Sequence, residues 1–120
     1  MERVTFCNAS GTKLVGHYRG AGHANGVVMA HGFCNDKSSN GRFERLGNAL
    51  LDENIASLAF DFAGCGESGD ALLTPEGLSQ DMEAAIAWMG ARGHHKLGLF
   101  GNSLGGSVVL QVRSDAVCAL

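Results

Sequence analysis

A serine framed by two glycines, Gly101-Asn102-Ser103-Leu104-Gly105, is the strongest chemical signal in this 120-residue sequence. The G-x-S-x-G spacing is common by chance, so its meaning depends on what flanks it. An apolar run, Leu97-Gly98-Leu99-Phe100, leads straight into it, and Ser107-Val108-Val109-Leu110 continues as a helix beginning at about Leu104. A serine on so sharp a strand-to-helix turn lifts its hydroxyl clear of the sheet, where it can attack a carbonyl. Glycines on both flanks remove Cβ atoms that would collide in the bend. Acyl transfer also needs two donors aimed at the oxyanion that forms as the carbonyl becomes tetrahedral. The Leu104 amide, at the start of the helix, supplies one. The second is expected from the Phe33 amide in His31-Gly32-Phe33, at the end of the apolar run Val27 to Ala30, with Gly32 letting the backbone come close.

A serine hydroxyl needs a base, and the sequence is poor in candidates. All five histidines (His17, His23, His31, His94 and His95) precede Ser103, and the seventeen residues after it hold one acid, Asp115, and no histidine. His31 belongs to the oxyanion loop. His94 and His95 stand at the far end of the strand that leads to Ser103. Five strand residues at ~3.3 Å each put them roughly 16 Å away, whereas a general base must come within ~3 Å of the hydroxyl. The expectation is that residues 1–120 are the N-terminal part of a single domain, inactive by themselves, and that acid and histidine come from sequence beyond Leu120 or a complementing C-terminal segment.

The elements that must position these residues alternate between strands and helices. Val4 to Cys7 and Leu14 to Tyr18, joined by Asn8-Ala9-Ser10-Gly11, predict a hairpin. Val27 to Ala30, Ile55 to Phe60 and Leu97 to Phe100 are continuous apolar runs suited to strands buried on both faces. Between them, Phe43, Leu46 and Leu50 have helical spacing, with Ser38-Ser39-Asn40 as candidate N-caps and Asn54 as a stop. Thr74 as N-cap and Pro75 at the first position predict a second helix. Its inward face is Leu78, Met82, Ala85, Ile86 and Met89, and Gly90 or Gly93 ends it. A last strand is expected from Ala116 to Leu120. The order implies an α/β fold with a mostly parallel, doubly wound sheet. If the sheet stopped there, its final strand would be an apolar open edge.

Composition narrows the function classes. Apolar residues make up 45% and charged residues 18%, which fits a chain with a real core. A formal net charge of -3 gives no basic footprint for nucleic acid. No apolar run reaches the ~18 residues of a membrane span. The start lacks the shape of a signal peptide, so a cytoplasmic location is the default expectation. Cys7, Cys34, Cys65 and Cys118 are scattered without a C-x-x-C pair and read as buried or half-buried thiols. His94-His95 has no nearby cysteine to complete a zinc site. No metal or cofactor is expected.

With three motifs in order, His31-Gly32-Phe33, then Asp61-Phe62-Ala63-Gly64-Cys65-Gly66-Glu67-Ser68, then Gly101 to Gly105, the sequence resembles the α/β-hydrolase superfamily. It is nearest the monoacylglycerol lipase and serine aminopeptidase-like branch, whose D-x-x-G-x-G-x-S loop the middle motif matches. The resemblance implies nucleophile Ser103, oxyanion amides Phe33 and Leu104, an antiparallel first hairpin, and esterase or related acyl-hydrolase activity on a small-molecule ester or acyl substrate. It also implies that lid and acyl pocket come from sequence beyond Leu120. Ala63, Cys65 and Asn102 stand where many members carry Arg, His and His, so substrate preference is left open.

Two other readings compete. Gly64-Cys65-Gly66-Glu67-Ser68-Gly69 is formally G-x-G-x-x-G, but a dinucleotide site needs its helix to open at those glycines, and Asp70 to Leu73 intervene before Thr74. A non-catalytic hydrolase-fold protein with a binding or regulatory role is the second.

Overall fold

A computed structural model describes the chain apart from residues 21, 23–24, 33–34, 103, 113–116 and 120, and apart from the side chains of 110–111 and 117–119. Ser103, Phe33, His23, Cys34 and Asp115 therefore lie outside the described residues. Among those described, six strands form one sheet and three helices pack on it.

The chain opens with the expected hairpin, β1 (Glu2–Cys7) antiparallel to β2 (Lys13–Arg19). Its turn is organised by one side chain: Asn8 Oδ1 accepts from the amides of Ser10 and Thr12 at 3.0 and 2.9 Å, and Gly11 takes the left-handed conformation. β3 (Asn25–Ala30), β4 (Ala56–Phe60), β5 (Lys96–Gly101) and β6 (Val117–Ala119) follow. The spatial order is β1-β2-β4-β3-β5-β6. β3 is parallel to both β4 and β5, and β5 to β6, while β2 meets β4 antiparallel. The sheet is thus mixed, with a parallel centre and an antiparallel hairpin on one flank.

Strand alternation sorts side chains onto two faces. Val28, Ala30, Leu58 and Phe60 pack with Met82, Ala85 and Met89 of α2 (Pro75–Ala91) and with Val108 and Val109 of α3 (Leu104–Gln111). Met29 and Ala59 face the other way, onto Phe43, Leu46 and Leu50 of α1 (Arg42–Asp52). Each such leucine, methionine or phenylalanine taken out of water contributes about 1.5–3 kcal/mol. α2 starts as expected: the Thr74 hydroxyl accepts from the Gly77 amide at 3.0 Å, with Pro75 in the first turn. No helix among the described residues is long and apolar enough to cross a membrane.

Three expectations need correction. α1 is not capped by Ser38, Ser39 or Asn40. Its N-cap is Gly41 in a left-handed conformation with no side-chain cap. The Ser38 hydroxyl is instead spent on the Gly41 amide inside a turn, in which Ser39 and Asn40 also have positive φ. Phe100 is 45% exposed rather than buried. It lies on the α1 face of β5, where its ring meets the Phe43 ring in a T-shaped pair with centroids 6.0 Å apart. Cys7 is exposed, because it ends an edge strand.

Candidate active site

Register brings the two chemical loops level. β3 and β5 are in parallel register with Ala30 opposite Gly101, and the Asn102 amide extends the ladder by donating to the Ala30 carbonyl at 3.1 Å. His31-Gly32 and Asn102 therefore leave the sheet side by side. The chain turns from β3 toward α1 on one face and from β5 toward α3 on the other. In open α/β sheets such a divergence leaves a crevice at the strands' carboxyl ends, where ligands bind.

The glycines make this turn possible by their lack of side chains. A Cβ on Gly101 would collide with the carbonyl of Gly105 and the amide of Gly106, and one on Gly105 with the carbonyl groups of Ala30 and His31. The Gly105 amide closes the turn on the Asn102 carbonyl at 3.0 Å. α3 begins at Leu104, so the Leu104 amide belongs to the first helical turn, whose N–H groups have no intrahelical acceptor. Position 103 lies outside the described residues, as does Phe33; the flanking geometry is what the structure describes.

His31 is 1% exposed and fully committed. Its Nε2 accepts from the Phe62 amide at 3.2 Å, which leaves Nδ1 carrying the proton that it donates to the Gly32 carbonyl at 2.8 Å. Its ring packs edge-on against Phe62. His31 is thus part of the loop's architecture, as the sequence implied. His94 is buried at the opposite end of β5, its Nε2 2.8 Å from the Tyr18 hydroxyl.

A charged cluster ties the loop after β3 to the loop after β4, and sequence reasoning missed its key member, Lys37. The Lys37 ammonium donates to Asp61 Oδ2 and to Glu67 Oε1, each at 2.8 Å, and the Lys37 amide donates to Asp61 Oδ1 at 2.7 Å. Asp61, wholly buried, also receives the Glu67 amide at 2.9 Å. Its carbonyl accepts the Ser68 hydroxyl, whose oxygen accepts from the Val15 amide. Gly66, with φ 48°, has no room for a Cβ over the Asp61 carboxylate. The D-x-x-G-x-G-x-S motif is therefore a carboxylate cradle. Burial pulls the Lys37 pKa down, but the hydrogen bonds that its ammonium donates to Asp61 and Glu67, with the attraction of their charges, outweigh it and the net shift is upward. The hydrogen bond from Lys37 holds Glu67 below its ordinary value.

Asp81, inside the apolar face of α2, is a second polar residue that the helical pattern concealed. It accepts from Asn8 Nδ2 and from the Ala63 amide, both at 2.8 Å. Burial raises its pKa, against the opposing effect of those two bonds. The glycines of the nominal G-x-G-x-x-G lie in the loop before Thr74 rather than at the start of α2, so they present no helix N-terminus to a pyrophosphate.

Between the first turns of α2 and α3 lies a cavity of about 290 Å³. Leu73, Pro75, Leu78, Leu104 and Val108 line it, with Ser107 at its edge. Leu104 belongs both to this cavity and to the start of α3.

The sequence model of the "Alpha/beta hydrolase family" matches residues 27–120. An uncharacterized 31.7 kDa Escherichia coli protein from the traX-finO intergenic region is 30% identical over 94 residues, which are 74% of this chain and 32% of that protein. Among solved structures, an esterase from Pyrococcus furiosus superposes with a TM-score of 0.82 at 24% identity, covering 92% of this chain and 45% of the esterase. An esterase from Exiguobacterium antarcticum gives 0.79 at 25% identity, covering 97% and 42%. The chain spans about a third of the length of that curated relative and less than half of either esterase.

Proposed function

The chain belongs to the alpha/beta hydrolase family, and from that premise we propose that it carries the nucleophile and oxyanion hole of a serine hydrolase acting on esters or related acyl compounds. Ser103 attacks the acyl carbonyl. The amides of Phe33 and Leu104 stabilise the oxyanion, the alcohol leaves, and water releases the acyl group from the serine. What supports this reading most is the level register of Ala30 and Gly101, with Gly105 pressed against the end of β3. By that register the segment that starts at His31 and the turn that starts at Asn102 leave the sheet at one rim, as the reading requires.

The base and its acid partner are assigned to sequence beyond Leu120, in the order serine, acid, histidine that this superfamily uses. Residues 1–120 by themselves are then nearly inactive, since loss of a triad member costs orders of magnitude while an oxyanion hole retains part of the acceleration. The near end of the acyl chain is assigned to the apolar cavity beside Leu104, in addition to whatever pocket wall the sequence beyond Leu120 supplies. The cavity's size sits at the small end of ligand pockets, which start at about 300 Å³.

A binding or regulatory role without catalysis draws support from the histidines, since His31 and His94 are both held in structural hydrogen bonds. Hydrolysis of p-nitrophenyl butyrate separates the two. Turnover by the full-length protein, with the sequence beyond Leu120 in place, that disappears in Ser103→Ala supports the hydrolase. Identical rates in the two proteins would leave the binding role.

A further inference from the structure

Two cavities meet at the first turn of α2. The apolar one, of about 290 Å³, lies beside Leu104 and Val108. The other, of about 250 Å³, lies toward the hairpin turn and is bordered by Asn8, Thr12, Ala71, Leu72, Gln80 and Asp81. Leu73, Thr74 and Leu78 line both, so these three side chains form the wall between them. Two of the three are committed to the fold. Leu78 is buried in the core, and the Thr74 hydroxyl caps α2 by accepting from the Gly77 amide. Leu73 precedes the helix and is 43% exposed. It is the part of the wall whose size can change without disturbing the core.

The two cavities differ in what they accept. Beside Leu104 the walls are mostly apolar, so each methylene of an aliphatic chain placed there adds about fourfold to affinity. On the other side of Leu73, Ala71 and Leu72 offer some apolar surface, but Asn8, Gln80 and Asp81 bring polar groups whose water an alkyl chain cannot replace.

We propose that Leu73 is the specificity-determining wall of the apolar cavity, ending the stretch in which an aliphatic chain gains from each added methylene and so setting the preferred chain length. That the chain is the acyl group of an ester rests on the serine hydrolase reading; that an unbranched alkyl chain fills the cavity as far as Leu73 does not. Leu73→Ala removes the side chain beyond Cβ and joins the two cavities, which makes room for about two further methylenes. Leu73→Phe takes space from the apolar side.

The test uses the full-length protein, with the sequence beyond Leu120 in place, and p-nitrophenyl esters from acetate to decanoate. Each variant is first checked for a cooperative urea transition. In the parent, kcat/KM rises about fourfold per methylene up to a break and then levels. The break is expected about two carbons later in Leu73→Ala and about two carbons earlier in Leu73→Phe. Leu72→Ala, at a residue that is 91% exposed and lines the polar cavity but not the apolar one, leaves it in place. A break that stays put in a folded Leu73 variant, or that Leu72→Ala moves as far, overturns the proposal. If the parent hydrolyses no ester, the hydrolase reading fails and the wall is judged by binding, from calorimetric Kd values for straight-chain alcohols from butanol to decanol. A break displaced in the same two directions upholds the wall. An unmoved break, or no alcohol bound by the parent, refutes it.

Discussion

Gly105 stands directly against Ala30: the side-chain position that the glycine leaves empty is filled by the carbonyl at the end of β3. One missing Cβ thereby sets how closely the first turn of α3 can settle on the strand beside it. Gly101 plays the matching part on the other side of the turn, facing the backbone of Gly105 and Gly106.

Gly105→Ala should therefore cost stability by forcing backbone apart, since no flexible side chain is available to yield. Overpacking of this kind costs about 1–3 kcal/mol. Urea denaturation monitored by tryptophan fluorescence will show a lower midpoint, and ester turnover will fall further than the stability loss explains. An unchanged midpoint would mean that α3 and β3 do not touch there.

Asp81→Asn tests the link between the hairpin and α2. Asn8 cannot turn over to suit the new amide, because its Oδ1 already holds the amides of Ser10 and Thr12. One donor is left facing another, at a cost of about 1–3 kcal/mol. The parent also carries a pH signature. A carboxyl whose pKa is raised on folding binds its proton more tightly in the folded state. Its contribution to stability thus declines as pH rises from the ordinary aspartate value through the raised one. That decline will be missing from the urea midpoints of Asp81→Asn.

Glu67 has the opposite sign. Its pKa is lowered by the Lys37 hydrogen bond, so its stabilising effect is complete above the ordinary glutamate value and is lost as pH falls through the depressed one. Lys37, shifted upward overall, gives stabilisation that is complete below the ordinary lysine value and lost as pH rises through the raised one. Between those limits the cluster is intact. Glu67→Gln removes the acid step while leaving the alkaline one, readable as melting temperature against pH.

The cavity beside Leu104 predicts a chain-length preference. Each methylene buried contributes about 0.8 kcal/mol, so kcat/KM should rise from acetate to butyrate by about tenfold. Ser107 is exposed at the cavity edge. Ser107→Trp should block the space from outside and flatten the series. A series unchanged by this substitution would place the acyl chain elsewhere.

Much of this could be read from the chain before its fold was known, and the exceptions have a common cause. α2 was legible because Thr74, Pro75 and the spacing of Leu78, Met82, Ala85, Ile86 and Met89 are local signals. Asp81 was not, since its meaning depends on Asn8, 73 positions away. Lys37 resembles any surface lysine until β4 brings Asp61 beneath it. Ser38 looked like a cap because capping is judged from neighbours, whereas here its hydroxyl accepts the Gly41 amide within a turn that precedes α1. Phe100 was misread because alternation in β5 gives its face but not what covers that face. The Ala30–Gly101 register, on which the site depends, joins residues 71 positions apart and leaves no trace in either segment.

The most direct measurement is covalent: the full-length protein, with the sequence beyond Leu120 in place, is treated with a fluorophosphonate, digested, and the modified peptide sequenced by mass spectrometry. Modification at Ser103, faster than at any other serine and absent from Ser103→Ala, is the predicted result. Label spread over several serines at equal rates, or none on the Ser103 peptide, would contradict the assignment of the nucleophile.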